Sequence, residues 1–485
     1  MTPPHTQVLR GSNFAKPAVP AWSASSPPSA ARPAFYLTMV FVFVVYARFP
    51  EIMDMITGSA VHSVRIIMLL ALLAALLFGG AIRPVFSGAG ICLLAFTGWL
   101  CVCTPFSIWR SGSFQILRES WAVSLFSFVI IASSVQGLEQ CRKILYSFAA
   151  ATIFIEFVAV MMGRVQQGRL ALLGGTLGNA NDLAMMLLMG VPFCLFVIRT
   201  RPGKSFFKLA CLAMILFIPA TVATTGSRGG LVTMAVMFIL YFLPLPATQK
   251  IGVAVGVLIL AVCAIALSTR SALDRYKTIF SSSDQAQLSE SERSALESSE
   301  VRRELLRSSL RLTLRHPLLG VGPGMFAVAN ADYTEETTGR ASFNAWHETH
   351  NTFTQVSCED GLPGLFLYCL TLLFCFKIVF SVEKRARRYP ALSSVRHMAF
   401  AIRLALVAFI GMAVFSSNAY MYYFPMLAAL CVVLERATAE LFSSQMPPGS
   451  KQPVTAPLAA KAPAHFRPGT LGGSKTMTWR SPRAE

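Results

Sequence analysis

The chain has 485 residues, 54% of them hydrophobic and only 13% charged. A water-soluble domain carries nearer 25% charged residues, so an ordinary soluble enzyme or scaffold is excluded. The formal charge of +19 comes without a basic-aromatic nucleic-acid module, which points away from nucleic acid and towards Lys and Arg that set membrane topology. The composition predicts an all-α polytopic membrane protein.

Residues 1–33 are rich in Pro, Ser and Ala and read as a disordered cytoplasmic tail. About twelve transmembrane helices are then expected from apolar runs near the ~20 residues a bilayer needs. They centre near residues 41, 71, 95, 126, 152, 188, 214, 237, 259, 366, 407 and 428. The first nine fill residues 34–268 and the last three fill 353–440. Between them lies a polar stretch, 269–352, long enough for a small subdomain. Residues 441–485 read as a second disordered tail. Loops holding Arg142 and Lys143, Arg199 to Lys208, and Lys384 to Arg396 are the more basic set. The positive-inside rule therefore puts both termini in the cytoplasm and the 269–352 loop outside.

Most of the 11 cysteines lie in apolar runs and the large loop has none. That pattern suits neither a disulfide framework nor a thiolate zinc site. Twelve spans would also suit a transporter, but matching halves are not visible and the large loop follows span nine. Glu156 is the clearest charge inside a span, as an exporter would need.

The polar residues that invite chemistry gather at helix ends on the outer side. RLALLGGTLGNANDLA brings Arg169, Asn179, Asn181 and Asp182, and TTGSRGG brings Ser227 and Arg228. In the loop, Glu290 to Arg315 reads as a helix with Arg303, Arg307, Arg311 and Arg315 at i, i+4 spacing along one face. Leu306, Leu310 and Leu314 form the neighbouring apolar stripe, as in a helix lying on a membrane surface. Arg302 stands off that stripe and is the better phosphate ligand, with Arg303 beside it. Guanidinium suits phosphate through paired, charge-assisted hydrogen bonds. GVGPG at Gly320–Gly324 lacks the spacing and Lys of a nucleotide loop and reads as a turn ending the helix. His347 and His350 lie at i, i+3, one residue short of the zinc-protease spacing, so no metal site is assigned. A neutral His350 could act as a general base, with Glu348 second.

These residues resemble the O-antigen ligase and O-antigen polymerase superfamily. The most specific match is H-N-x9-G-x-x-G, here His350-Asn351 followed by Gly361 and Gly364. The stretch from Arg302 through HPLLGVGPGMF, the SRGG around Arg228 and the GNANDLA around Asn181 add to it. The likeness covers residues 150 to 440, and the first spans match in hydrophobicity alone. It implies a bundle like that of C-type glycosyltransferases, with a large periplasmic loop, in a bacterial inner membrane. It implies a glycan donor on undecaprenyl pyrophosphate, no metal and no nucleotide cofactor. Ligases of the family pass glycan to the lipid A core, polymerases to a new repeat unit, and relatives to protein. Carried over, His350 is catalytic, and Arg228, Arg302 and Arg169 bind substrate; Asn351 and Arg303, beside motif residues, are expected to bind substrate as well. Asn351 either orients the imidazole or caps the following helix.

Overall fold

The computed structural model describes residues 32–58, 63–78, 83–166, 169–172, 178–267, 290–338 and 346–444. Both expected tails fall almost wholly outside these, as do 268–289 and 339–345 of the large loop. The first part of the chain forms α1 (Arg32–Tyr46), α2 (Phe49–Thr57), α3 (Ser63–Phe78), α4 (Gly88–Cys103), α5 (Arg110–Ile116), α6 (Ala122–Ser134) and α7 (Leu138–Met162). A hairpin, β1 (Arg164–Gln166) and β2 (Arg169–Ala171), sets Gln166 opposite Arg169. There follow α8 (Ala180–Thr200), α9 (Phe206–Thr224), α10 (Arg228–Phe242) and α11 (Ala247–Leu267). The loop contributes α12 (Glu290–Arg315) and α13 (Phe326–Thr338). The chain re-enters the bundle through α14 (Thr352–Glu359), α15 (Gly361–Ala386), α16 (Ser393–Ala413) and α17 (Tyr423–Ser444).

A helix covers each predicted span centre, but among the described residues 7 segments are long and apolar enough to cross a membrane. The expected twelve is not reached by that measure. For the shorter apolar helices α1, α3 and α10 the reason is length rather than composition. Ser227 caps α10 by accepting from the Gly230 N–H, so that helix starts late and has 15 residues. Fifteen residues rise only ~22 Å against a hydrocarbon core of ~30 Å. A window of apolar residues does not see where a cap or turn interrupts it.

Helix α8 is the hub: 72% of its apolar window is buried, against 22% for α9. It packs against α7, α9 and α16. The α7–α8 approach needs Gly190, because a Cβ there would lie 2.0 Å from Thr152 Oγ1. Small residues permit such close helix packing where lipid offers no hydrophobic drive between helices. On the outside, Leu69, Leu73, Leu76 and Leu77 of α3 and Phe366 and Leu373 of α15 are exposed. Faces of that kind are wetted by lipid, and the protein is a multi-pass membrane protein.

Helix α12 begins and ends where the sequence places it, yet it buries a different face. Leu305, Ser309, Leu312 and Thr313 are buried, while Leu306, Leu310 and Leu314 are exposed. Leu305 and Leu312 join Val321, Met325, Phe326, Ala329 and Cys358 in a small core of their own. The loop therefore packs on α14, and the expected leucine stripe is the face left over. Arg311 and Arg315 flank the Tyr333 ring of α13 at 5.1 and 4.5 Å.

Candidate active site

The segment Trp346–Asn351 carries the histidine motif into α14. Asn351 is that helix's cap: its side-chain oxygen accepts from the N–H groups of Phe353 (2.9 Å) and Thr354 (3.1 Å). This resolves the two roles open for Asn351 in favour of capping. Asn351→Ser should keep activity within about twofold, whereas Asn351→Ala should cost about 1 kcal/mol of stability, read by thermal unfolding. Equal loss of activity in both variants would reinstate a contact with the imidazole.

His350 sits at φ 53°, in the left-handed region that side-chain-bearing residues seldom adopt. It is held there by a segment the sequence reading passed over, the turn between α16 and α17. The His350 N–H donates to Ser417 Oγ (2.8 Å), and Thr349 Oγ1 lies 2.9 Å from the same oxygen. Thr352 Oγ1 donates to the Ser416 carbonyl (2.7 Å) and accepts from the Asn418 N–H (3.0 Å). The Asn418 amide points at the start of α8, donating to Met185 Sδ (3.5 Å). The signal was present as SSN, a polar break between two apolar spans, but polar turns are common enough to be read as mere connection.

The His350 imidazole is largely buried. Burial first, then the positive charges of Arg302, His347 and Arg169, push its pKa down to about 4. The ring is therefore neutral at pH 7 and able to accept a proton. Of the predicted residues, Arg302 from α12 and Arg169 from β2 are near enough for their charges to act on the ring. Arg169 is fixed by two bonds, Nε to the Thr225 carbonyl (3.1 Å) and Nη2 to Asn181 Oδ1 (2.9 Å). Its Thr225 partner lies three residues before Arg228, which opens α10 and is half-buried. Arg303 is exposed and is not among the charges acting on His350. Glu348 is exposed at its own surface, yet desolvation by its surroundings and then Asp182 raise its pKa.

A second group braces this floor. The GVGPG turn does not cradle phosphate; it straps α12 to the α14–α15 junction. Val321 and Gly322 N–H groups donate to the carbonyls of Cys358 (2.8 Å) and Glu359 (2.9 Å), and Leu362 N–H to that of Pro317 (2.8 Å). The Glu359 side chain accepts from the N–H groups of Gly324 (3.0 Å) and Phe326 (3.1 Å). The Tyr420 hydroxyl lies 2.8 Å from Glu359 and 2.9 Å from Asp360. Burial moves the Glu359 pKa to about 7, and burial together with the Glu359 charge raises that of Asp360. Residues from the first third of the chain join in, beyond the limits of the sequence likeness. Trp99 Nε1 donates to the Asp360 carbonyl (2.8 Å), and Ser113 Oγ to that of Pro323 (2.9 Å).

The motif glycines belong to this brace. Gly361 has φ 73°, and a Cβ on it would sit 2.0 Å from the Leu318 carbonyl oxygen. Gly361→Ala should therefore destabilise the protein by about 2 kcal/mol or more through backbone strain and clash. A melting temperature unchanged in detergent would remove this account of the motif.

A buried guanidinium, that of Arg48, was missed by the sequence reading. Arg48, in the link between α1 and α2, pairs with Glu51 and donates to the Tyr423 hydroxyl (3.2 Å). Its charge also reaches Asp182. A lone Arg in a short interhelical link looks like a topology marker, and nothing local distinguishes it. Among the described residues no group of three His, Cys, Asp or Glu side chains could hold a metal ion.

Residues 212–369 match the family model described as O-antigen ligase. No curated protein matches the chain. The matched stretch holds Arg228, Arg302, His350 and both motif glycines, and leaves Arg169 outside it. Over these residues the chain is similar to the O-antigen ligase family, and the match supports the O-antigen ligase superfamily.

Proposed function

We propose that the protein transfers a glycan from a polyprenyl pyrophosphate, undecaprenyl pyrophosphate in the family's usual chemistry, to an acceptor hydroxyl at the periplasmic face of a bacterial inner membrane. The family match supports a ligase-like or polymerase-type glycosyltransferase. The observation that carries the finer reading is a neutral imidazole within reach of two arginines drawn from distant parts of the chain, Arg302 and Arg169. An acceptor hydroxyl attacks the anomeric carbon, His350 takes its proton, and the C–O bond to pyrophosphate breaks. Arg302, Arg169 and Arg228 stabilise the negative charge that grows on the departing pyrophosphate. In-line attack inverts the anomeric centre. The lipid A core is the favoured acceptor, because the large loop after span nine matches the ligase layout.

Pyrophosphate leaves already ionised, so the arginines carry the charge neutralisation that a divalent cation performs elsewhere. Transfer should accordingly persist in EDTA; loss that a divalent ion restores would overturn this assignment. The deciding experiment compares lipopolysaccharide and the undecaprenyl-linked pool in a strain lacking the gene. Long glycan stranded on the carrier supports ligation, and the acceptor left bare identifies itself. Single repeat units alone point to polymerisation. Normal glycan on its normal acceptor refutes the transferase.

A further inference from the structure

The end of the bundle away from His350 holds a cavity of about 590 Å³. Helix α8 links the two ends. Its first turn carries Asn181, bonded to Arg169, and its last carries Arg199, which lines the cavity. The 21 residues of α8 separate them by roughly 30 Å at 1.5 Å per residue. This is the end that the positive-inside pattern assigns to the cytoplasm.

Four guanidinium groups line the cavity, from Arg199, Arg387, Arg396 and Arg403, and face one carboxylate, Glu383. Glu383 is already shared between Arg387 (2.6 Å) and Arg403 (3.2 Å). Arg199 lies over the Tyr241 ring at 4.7 Å and donates to its hydroxyl (3.1 Å). Among the described residues neither Arg199 nor Arg396 has a carboxylate in ion-pair contact. Topology alone accounts for arginines at this end, and helix C-termini favour them. Neither requires that arginines from α8, α16 and the C-cap of α15 converge on one cleft, where three excess charges repel each other. A bound anion relieves that repulsion.

The surroundings say what kind. The volume suits a ligand of tens of atoms rather than a lone ion. A narrow apolar crevice lined by Leu195, Phe196 and Leu404 adjoins the cavity and shares Arg199, Tyr241 and Phe400 with it. We propose that this cavity binds a phosphate-bearing anion, and that its occupant is the headgroup of an anionic phospholipid whose acyl chains stay in the surrounding bilayer. Basic pockets between helices on the cytoplasmic side take such headgroups elsewhere. The site is separate from the transfer chemistry and stands whatever the glycan acceptor.

The test uses the full-length protein in mixed micelles with cardiolipin, phosphatidylglycerol or phosphatidylcholine, read by native mass spectrometry. Wild-type protein should retain the anionic lipids over phosphatidylcholine. Arg396→Ala and Arg199→Ala should each weaken that retention about fivefold. Arg388→Ala, at the same end but outside the lining, should leave it unchanged. Millimolar inorganic pyrophosphate separates the sources: persistence of the lipid supports the headgroup, and its displacement from wild type means that a free phosphate anion is the occupant and overturns the lipid assignment. Equal retention of phosphatidylcholine, or retention in both alanine variants equal to wild type, overturns the site. If an alanine variant fails to fold, Arg396→Lys decides, since it keeps the charge and loses the fork: weakened retention supports the site and unchanged retention overturns it.

Discussion

His350→Ala should lower glycan transfer about a thousandfold, within the range expected for loss of a general base, while the protein still inserts and folds. The side chain is held by neighbours that bond its backbone rather than its ring, so removing the ring leaves the Ser417 and Thr352 bonds intact. The same residue should show its role in a pH profile. In the free protein, burial and the arginines hold the imidazole at about 4. A depressed pKa means that the neutral, proton-accepting form persists as pH falls and is lost only near that value, so the acid limb of kcat/KM should lie there. Bound pyrophosphate cancels the charge of Arg302 and Arg169, which raises the pKa and strengthens the base. The acid limb of kcat, which reports the complex, should therefore sit at higher pH than that of kcat/KM. Wild-type activity in the alanine variant would remove the base, and coincident limbs would detach the arginines from the anion.

Arg302→Ala should cost about a hundredfold in kcat, comparable to losing one preorganised donor to a developing anion. Arg302→Lys should recover little of it, because an ammonium lacks the paired donors of the fork. Arg303→Ala provides the internal comparison. Neighbouring residues on a helix point about 100° apart, and here Arg302 shares the buried face of Leu305 and Ser309 while Arg303 is exposed. Loss of activity in Arg303→Ala should stay within about twofold. Steady-state transfer by purified protein, with donor and acceptor varied separately, reads both. Equal losses at the two positions would mean that the helix as a whole, and not the Arg302 guanidinium, is what the reaction needs.

Nothing in these predictions requires the brace beneath the site to touch substrate. Glu359, Asp360 and Tyr420 hold the strap, the α14–α15 junction and the turn after α16 in one hydrogen-bonded unit. Their part is to fix where His350 stands relative to α12. A protein that draws its base and its cations from separate segments depends on such a unit, since displacement of the base by an ångström costs orders of magnitude in rate.

The sequence by itself determined the class of protein, the helix over Glu290–Arg315, and the motif that singles out His350. Composition and periodicity carry that information locally, because apolar run length and i, i+4 spacing belong to single segments. It nominated Arg302 over the stripe arginines for the same reason, and left Leu305 and Leu312, the leucines that pack inside the protein, unread. Only the tertiary structure decided that the charges of Arg169 and Arg302 act on His350, that Asn351 caps, and what the GVGPG turn straps together. Only it brought out Arg48 and the Ser416–Asn418 turn, and the gathering of four arginines at the far end of α8. Each of these depends on which segments pack together, and contacts between residues tens to hundreds of positions apart leave no periodicity in the chain to be read.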